Sequence, residues 1–286
     1  MMNLLYTGKT QNLGLIGCPV EHSLSPVMQN AALVKAGLDY AYIAMPVQPE
    51  CLPNAVAGIV ALGFRGFNVT IPHKVKIMSL LDTIDENARM IGAVNTVVIE
   101  QGKLAGYNTD SIGFIVALKK QNFVIEHKKA ALLGAGGAAR AIIWGLISNK
   151  IQQIVIGVRN IEKVKPLVEE FKSFIDIQLF HWEDPVFQEK LGAVDLLINT
   201  TPLGMYPKID ESPVVNWQYI KKDTFVYDII YTPQETKFLA AAKKHGNPTL
   251  NGEQMLVEQG VAAFELWTKQ RPDTHIMTEQ LQKALG

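Results

Sequence analysis

Residues 130–159, AALLGAGGAARAIIWGLISNKIQQIVIGVR, constrain the fold more than any other stretch of the chain. Residues 130–133 form a short apolar run, the pattern of a strand buried on both faces of a parallel sheet. Gly134, Gly136 and Ala139 follow in G-x-G-x-x-A spacing, with Ala135, Gly137 and Ala138 between them. Residues 138–147 favour helix, and residues 151–157 are a second apolar strand. The glycines therefore stand between a strand and a helix inside one βαβ unit, the context that gives this spacing meaning. Glycine at 134 permits a tight turn. Glycine at 136 lets backbone approach a pyrophosphate, and the helix N-terminus offers it free N–H groups. A glycine turn that serves packing alone is the other explanation.

The end of the second strand selects the dinucleotide. An NAD site usually places Asp or Glu there, about 20 residues past the glycines, to bind the ribose 2′-OH. Here the strand ends Gly157-Val158-Arg159-Asn160, and Glu162 falls in the next helix. Arg159, beside Asn160, suits a 2′-phosphate in bidentate fashion. NADP is the expected cofactor and NAD a possible one. A solvated surface arginine is the alternative.

The chain has 286 residues, enough for one or two domains, and a formal net charge of zero. Such a balance offers no general attraction to nucleic acid or an anionic membrane, and neither is expected as a partner. With 48% hydrophobic residues the chain can bury sizeable cores. Its apolar runs are interrupted by Arg65 and Arg140, so no membrane span is expected, and the start shows no secretory pattern. A cytoplasmic protein is the expectation. Cys18 and Cys51 have no C-x-x-C or metal spacing and are expected to be buried free thiols. The six histidines are scattered, so no metal centre is expected, and no G-x-S-x-G elbow occurs.

Ahead of the fingerprint, residues 13–17 read as a buried strand, and Ser25-Pro26 as an N-cap and first turn of a helix running to about Leu38. Residues 40–45 are a strand, 49–62 a helix and 65–70 a strand. Pro72 suits the first turn of a helix extending to about Leu81. Residues 85–90 form a short helix closed by Gly92. Residues 93–99 and 103–106 are a hairpin turning near Gln101-Gly102. Asp110 is placed to cap a helix over 111–120. Beyond the fingerprint come helix 161–174, strands 176–180, 195–199 and 224–229, and helices 234–244, 252–269 and 273–284. The strand at 195–199 breaks at Thr200-Thr201-Pro202, near where a nicotinamide lies in a doubly wound sheet.

The polar residues at strand ends are Ser23, Ser25, Asn68, Thr70, Lys74, Asn95 and Asp110. Such a set suits a small polyhydroxylated acid beside a nicotinamide, with a lysine able to accept an alcohol proton. Each has a plainer explanation: Asn95 a turn, Asp110 a cap, Lys74 a solvated helix residue.

Eight ordered blocks change the weights: GCPVEHSLSP at 17–26, NVTIPHK at 68–74, GAVNT at 92–96, NTD at 108–110, GAGGAAR at 134–140, NTTPLGM at 199–205, YDIIY at 227–231 and GEQML at 252–256, with Gln259-Gly260 beyond them. On these the chain resembles the shikimate dehydrogenase family over nearly its full length. The resemblance implies an α/β chain of two α/β domains with a cleft between them. An N-terminal substrate domain covers 1–109 with 252–286, and a Rossmann-type NADP-binding domain covers 110–251. It implies reversible, NADP-dependent reduction of 3-dehydroshikimate to shikimate by a monomer or homodimer. Lys74 is then the acid/base, with Asp110 beside it. Ser23, Ser25 and Tyr231 hold the substrate carboxylate, and Thr70, Asn95 and Gln259 contact ring hydroxyls. Thr200, Met205, Ile229 and Gly252 join the glycine turn around the cofactor.

Two positions depart from the family pattern. Val158-Arg159-Asn160 stands for Asn-Arg-Thr, which loosens the NADP preference. Ser111 stands for the usual glycine after Asn-Thr-Asp, which bears on substrate choice. A quinate/shikimate dehydrogenase is therefore the alternative enzyme. A non-catalytic shikimate sensor is the alternative of another class, disfavoured because Lys74 and Asp110 are both present. The serine block and Asn-Thr-Asp argue against a folate dehydrogenase/cyclohydrolase.

Overall fold

Short apolar runs alternating with helix formers resolve into two six-stranded sheets. The structure is a computed structural model and describes residues 6–285. The first part of the chain runs β1 (Gln11–Gly17), α1 (Ser25–Lys35), β2 (Tyr40–Pro46), α2 (Leu52–Ala61), β3 (Gly66–Val69), β4 (Thr83–Ile84), α3 (Glu86–Ile91), β5 (Thr96–Glu100) and β6 (Lys103–Tyr107). It continues through α4 (Asp110–Lys120), β7 (Lys129–Leu133), α5 (Ala139–Ser148), β8 (Gln153–Val158), α6 (Ile161–Phe171), β9 (Asp176–His181), α7 (Pro185–Leu191) and β10 (Leu196–Asn199). The remainder is β11 (Phe225–Asp228), α8 (Lys237–His245), β12 (Thr249–Leu250), α9 (Glu253–Thr268) and α10 (Thr274–Leu285).

Two compact units result: the described residues through Gly113 with those from Leu256 onward, and Phe114–Met255. The division passes through α4 and α9. In the first unit the strand order is β2-β1-β3-β5-β6-β4. β1 is parallel to β2 and β3, whereas β5 runs antiparallel to both β3 and β6. The β5–β6 hairpin turns at Gln101 and Gly102, with φ of 53° and 74°, the pair of left-handed residues that a tight hairpin requires. In the second unit the order is β12-β11-β10-β7-β8-β9, all parallel. Counted within that unit it is 3-2-1-4-5-6 read from β9, the doubly wound arrangement whose switch point lies between β7 and β10.

Burial explains the apolar runs. In β7, Ala130 and Leu132 enter one core while Ala131 and Leu133 enter the other. A strand with cores on both faces has no polar side, so it reads as a continuous run. Among the described residues no helix is long and apolar enough to cross a membrane.

Several local expectations are corrected. Ser25 is the first residue of α1 and not its cap; Leu24 occupies the cap position without a side-chain bond. Ser23 supplies the bond instead, its Oγ accepting from the Ser25 N–H at 3.3 Å. α1 stops at Lys35, and Gly37 follows at φ 67°. No α-helix forms over 72–81; the segment is turns and a single 3-10 stretch, Lys76–Leu80. Its polar groups are spent on neighbours, because Ile71 O accepts from Cys18 N, Lys74 O accepts from Val94 N, and the His73 ring donates to Val47 O. Pro72 also removes a donor and disfavours helix at Ile71. The cysteines are free but not buried: Cys18 is half-exposed and Cys51 exposed. Cys51 closes the 3-10 turn Pro49–Cys51 at the start of α2, a position that faces away from the core. The short strands β4 and β12 and the helix α7 have no counterpart in the periodicity, although Asp184-Pro185 is the cap-and-proline start of α7.

Candidate active site

In the first unit the strand ends converge on a buried polar network. Lys74 Nζ donates to Asp110 Oδ2 at 2.5 Å, with the two side chains 19% and 10% exposed. The other Asp110 oxygen accepts from Asn95 Nδ2 at 2.8 Å. Asn95 is itself clamped: its Oδ1 accepts from Thr109 N at 2.7 Å and from Thr96 Oγ1 at 3.0 Å. Asn68 Nδ2 donates to Thr96 Oγ1 and to Asn95 O, and Asn68 Oδ1 accepts from the Tyr42 hydroxyl at 2.7 Å. Burial holds the Tyr42 phenol far above its usual range, against a smaller downward pull from Ser25. Tyr42 is therefore a neutral donor at the base of the network.

Asp110 is the first residue of α4 and not the cap of a helix beginning at Ser111. Asn108 does the capping, its Oδ1 accepting from Asp110 N at 3.1 Å and from Ser111 N at 3.4 Å. The Asp110 carboxylate is thereby released from local duty to face Lys74. Tyr42, Thr96, Asn108 and Thr109 are the positions that the residue pattern leaves without a role. Their only signal is that three of them stand inside the GAVNT and NTD blocks.

Ser23, in the loop between β1 and α1, is half-buried, and Ser25, the first residue of α1, is buried. Thr70 follows β3, and a side chain at Gly17 would strike its Cγ2 at 2.3 Å, so glycine lets the two strand ends close up. Gln259, on α9, is half-buried and donates from Nε2 to Leu256 O. Tyr231 belongs to the second unit, where burial raises its phenol above the usual range.

The second unit presents backbone rather than side chains. Gly134 stands at φ 91° and donates its N–H to Gly157 O at 2.8 Å. α5 begins at Ala139 with no side-chain cap, which leaves first-turn N–H groups for an anion. The Thr200 hydroxyl lies within 3.1 Å of Leu133 O and Gly134 O, so the loop after β10 braces the turn. A groove of about 850 Å³ is lined by this turn together with Arg159, Asn160, Lys163, Trp182 and Thr200. Asn160 also caps α6, accepting from Lys163 N at 3.0 Å. Met205 is exposed in the loop after β10. Gly252 is a packing glycine, since a Cβ there would lie 2.0 Å from Ile229 O.

Behind these loops lies a fully buried carboxylate. Asp228 accepts from Asn199 Nδ2 at 3.1 Å, Ile230 N at 3.1 Å and Thr236 Oγ1 at 2.6 Å. Burial raises its pKa from 3.8 to about 6, against the opposing pull of those three donors. Among the described residues no group of three or more His, Cys, Asp or Glu is arranged to hold a metal ion.

Comparison with known proteins gives this geometry a lineage. The family model of the shikimate dehydrogenase substrate binding domain matches residues 15–97, that of shikimate / quinate 5-dehydrogenase 116–230, and that of the shikimate 5′-dehydrogenase C-terminal domain 252–282. A shikimate dehydrogenase (NADP(+)) of Methanococcus maripaludis is 45% identical over 284 residues, covering 97% of this chain and 98% of its own. The chain belongs to the shikimate dehydrogenase family. A crystal structure of a shikimate dehydrogenase in complex with NADP+ superposes with TM-score 0.91 at 42% identity, covering 99% of this chain and 98% of its own. The Listeria monocytogenes shikimate 5-dehydrogenase in complex with shikimate and NAD also gives 0.91, at 37% identity and 96% coverage of both chains. The fold is that of the shikimate dehydrogenases, an N-terminal substrate domain and a Rossmann-type domain.

Proposed function

We propose that the protein reversibly reduces 3-dehydroshikimate to shikimate with NADP. The Lys74–Asp110 pair carries this reading, because Asn95 fixes the carboxylate and the carboxylate fixes the ammonium. The residue-by-residue assignment is ours. Ser23, Ser25 and Tyr231 bind the substrate carboxylate; Thr70, Asn95 and Gln259 bind its hydroxyls. The glycine turn, with Arg159, Asn160, Thr200, Met205, Ile229 and Gly252, forms the dinucleotide site. Residues 1–109 with 252–286 bind substrate, and 110–251 bind cofactor.

The open α5 N-terminus and Arg159, which has no carboxylate partner among the described residues, fit a dinucleotide phosphate, and bound NADP supplies or takes the hydride. Lys74 gives its ammonium proton to the ketone oxygen as the alcohol forms, and takes it back in oxidation. Asp110 orients the Nζ–H bonds, and Asn95 keeps Asp110 from turning away.

The test follows cofactor reduction with shikimate and quinate, each with NADP and NAD, on the wild type and Lys74→Ala. Shikimate turnover with NADP, largely lost in the variant, supports the assignment. Equal quinate turnover or NAD preference moves the protein to the quinate/shikimate branch. Shikimate binding without turnover by folded protein leaves the sensor.

A further inference from the structure

Two arginines line the dinucleotide groove, and each lies over an aromatic ring. Arg140 Cζ is 5.8 Å from the Phe171 centroid, and Arg159 Cζ is 5.4 Å from that of Trp182. They differ in charge balance. Arg140 is paired with Glu170, whereas among the described residues no carboxylate lies within ion-pair distance of Arg159. Arg159 is exposed, yet its ring partner is only 7% exposed. Trp182 packs in the core with Phe187 and Leu203. Its backbone N–H donates to Val158 O at 3.0 Å, and its backbone carbonyl accepts from the buried Gln188 Nε2 at 2.7 Å. The sheet register sets Val158 opposite His181, so the indole is delivered beside Arg159 by the pairing of β8 and β9. Val158 is 4% exposed, and its side chain has no polar atom to offer a phosphate.

We propose that Trp182 is a positioning residue for cofactor choice: its indole face holds the unpaired Arg159 guanidinium at the rim of the groove, flat and oriented for a ribose 2′-phosphate. This rests on Arg159 as the 2′-phosphate partner. A free arginine samples many rotamers, and only a few present the bidentate fork; a fixed ring face selects among them without touching the ligand. Lys163, at the same groove, adds charge but no plane. The indole thus takes over an orienting role that a polar neighbour at 158 would otherwise fill.

The experiment measures kcat and KM for NADP and for NAD, at saturating shikimate, in Arg159→Leu, Trp182→Met, Trp182→Phe and Arg159→Lys. Arg159→Leu is expected to lower kcat/KM for NADP by roughly 10- to 100-fold and to leave NAD nearly unchanged. Trp182→Met should raise the NADP KM by about fivefold with kcat and the NAD constants unmoved, and Trp182→Phe should restore part of the loss. Combining Trp182→Met with Arg159→Leu should add nothing further. Arg159→Lys, an exposed change that leaves the core intact, should lose most of the NADP preference. If Trp182→Met lowers NADP and NAD use alike, or leaves their ratio at the wild-type value while Arg159→Leu changes it, the indole has no positioning role. Should Trp182→Met not fold, full NADP preference in Arg159→Lys overturns the proposal. An unchanged ratio in Arg159→Leu instead removes the reading of Arg159 on which it stands.

Discussion

The two units solve opposite problems. In the first, the groups proposed to react are side chains held by other side chains, in a buried chain from Tyr42 through Asn68, Thr96 and Asn95 to Asp110 and Lys74. In the second, the groove is built of backbone at Gly134–Gly137, and Arg159 at its rim leans on a ring. Proton transfer needs a donor fixed to a fraction of an ångström, and buried, mutually satisfied polar groups provide that rigidity. A diphosphate needs N–H groups and close approach, which glycine and a helix end provide with little side-chain chemistry. The first region should therefore lose rate when disturbed, and the second should lose stability or affinity.

The largest effect is expected at Lys74. Lys74→Ala should lower kcat by roughly 10³-fold, the middle of the range for general acid–base groups, with an unchanged circular-dichroism spectrum. A loss confined to KM would show that the first region only binds.

Asp228 provides the next largest effect, in the second region and in stability. Its folded pKa, about 6, lies above its ordinary 3.8, so the folded chain keeps a proton that the unfolded chain releases. The group's favourable contribution is complete below about pH 4 and is lost as pH rises through about 6. Integrated over that window, the loss is about 3 kcal/mol. Urea unfolding of wild type and Asp228→Asn at pH 4 and pH 7 should show the difference between them moving by this amount, in favour of the variant at pH 7. A pH-independent difference would mean that Asp228 titrates normally.

Gly252→Ala should cost about 2 kcal/mol, because the new Cβ meets the Ile229 carbonyl, which is backbone and has little room to give. Thermal unfolding measures it. An unchanged Tm would show the second region more pliant than its packing. The smallest effect is expected at Ser23→Ala, which removes the acceptor for the Ser25 N–H. Stability should fall by about 1 kcal/mol, and the shikimate KM should rise with kcat nearly constant. A kcat loss approaching that of Lys74→Ala would erase the distinction between holding and reacting groups.

The legible features share one property, that their cause lies within a few residues. The glycine fingerprint, the Gln101-Gly102 turn, the Gly92 stop after α3 and the apolar run of β7 each follow from local backbone freedom or from burial on both sides of a strand. The candidate catalytic and binding residues stand out in the sequence only because eight blocks together resemble one family, and of them the structure brings Lys74, Asp110 and Asn95 into contact; singly, Lys74 and Asp110 have ordinary explanations. Tertiary structure decided the rest. The segment around Lys74 is no helix, because its carbonyls and donors find partners on β1, near Val47 and at Val94. Asp110 is free to face Lys74 only because Asn108 takes the cap. Tyr42 joins the network because β1 and β3 bring its hydroxyl to Asn68, an adjacency that strand order creates and local sequence does not encode. Sequence determines where the chain can turn, stay straight or bury itself, since those are properties of single residues and their periods. Which polar groups meet is settled by pairing between distant strands, and a buried donor takes whichever acceptor that pairing delivers.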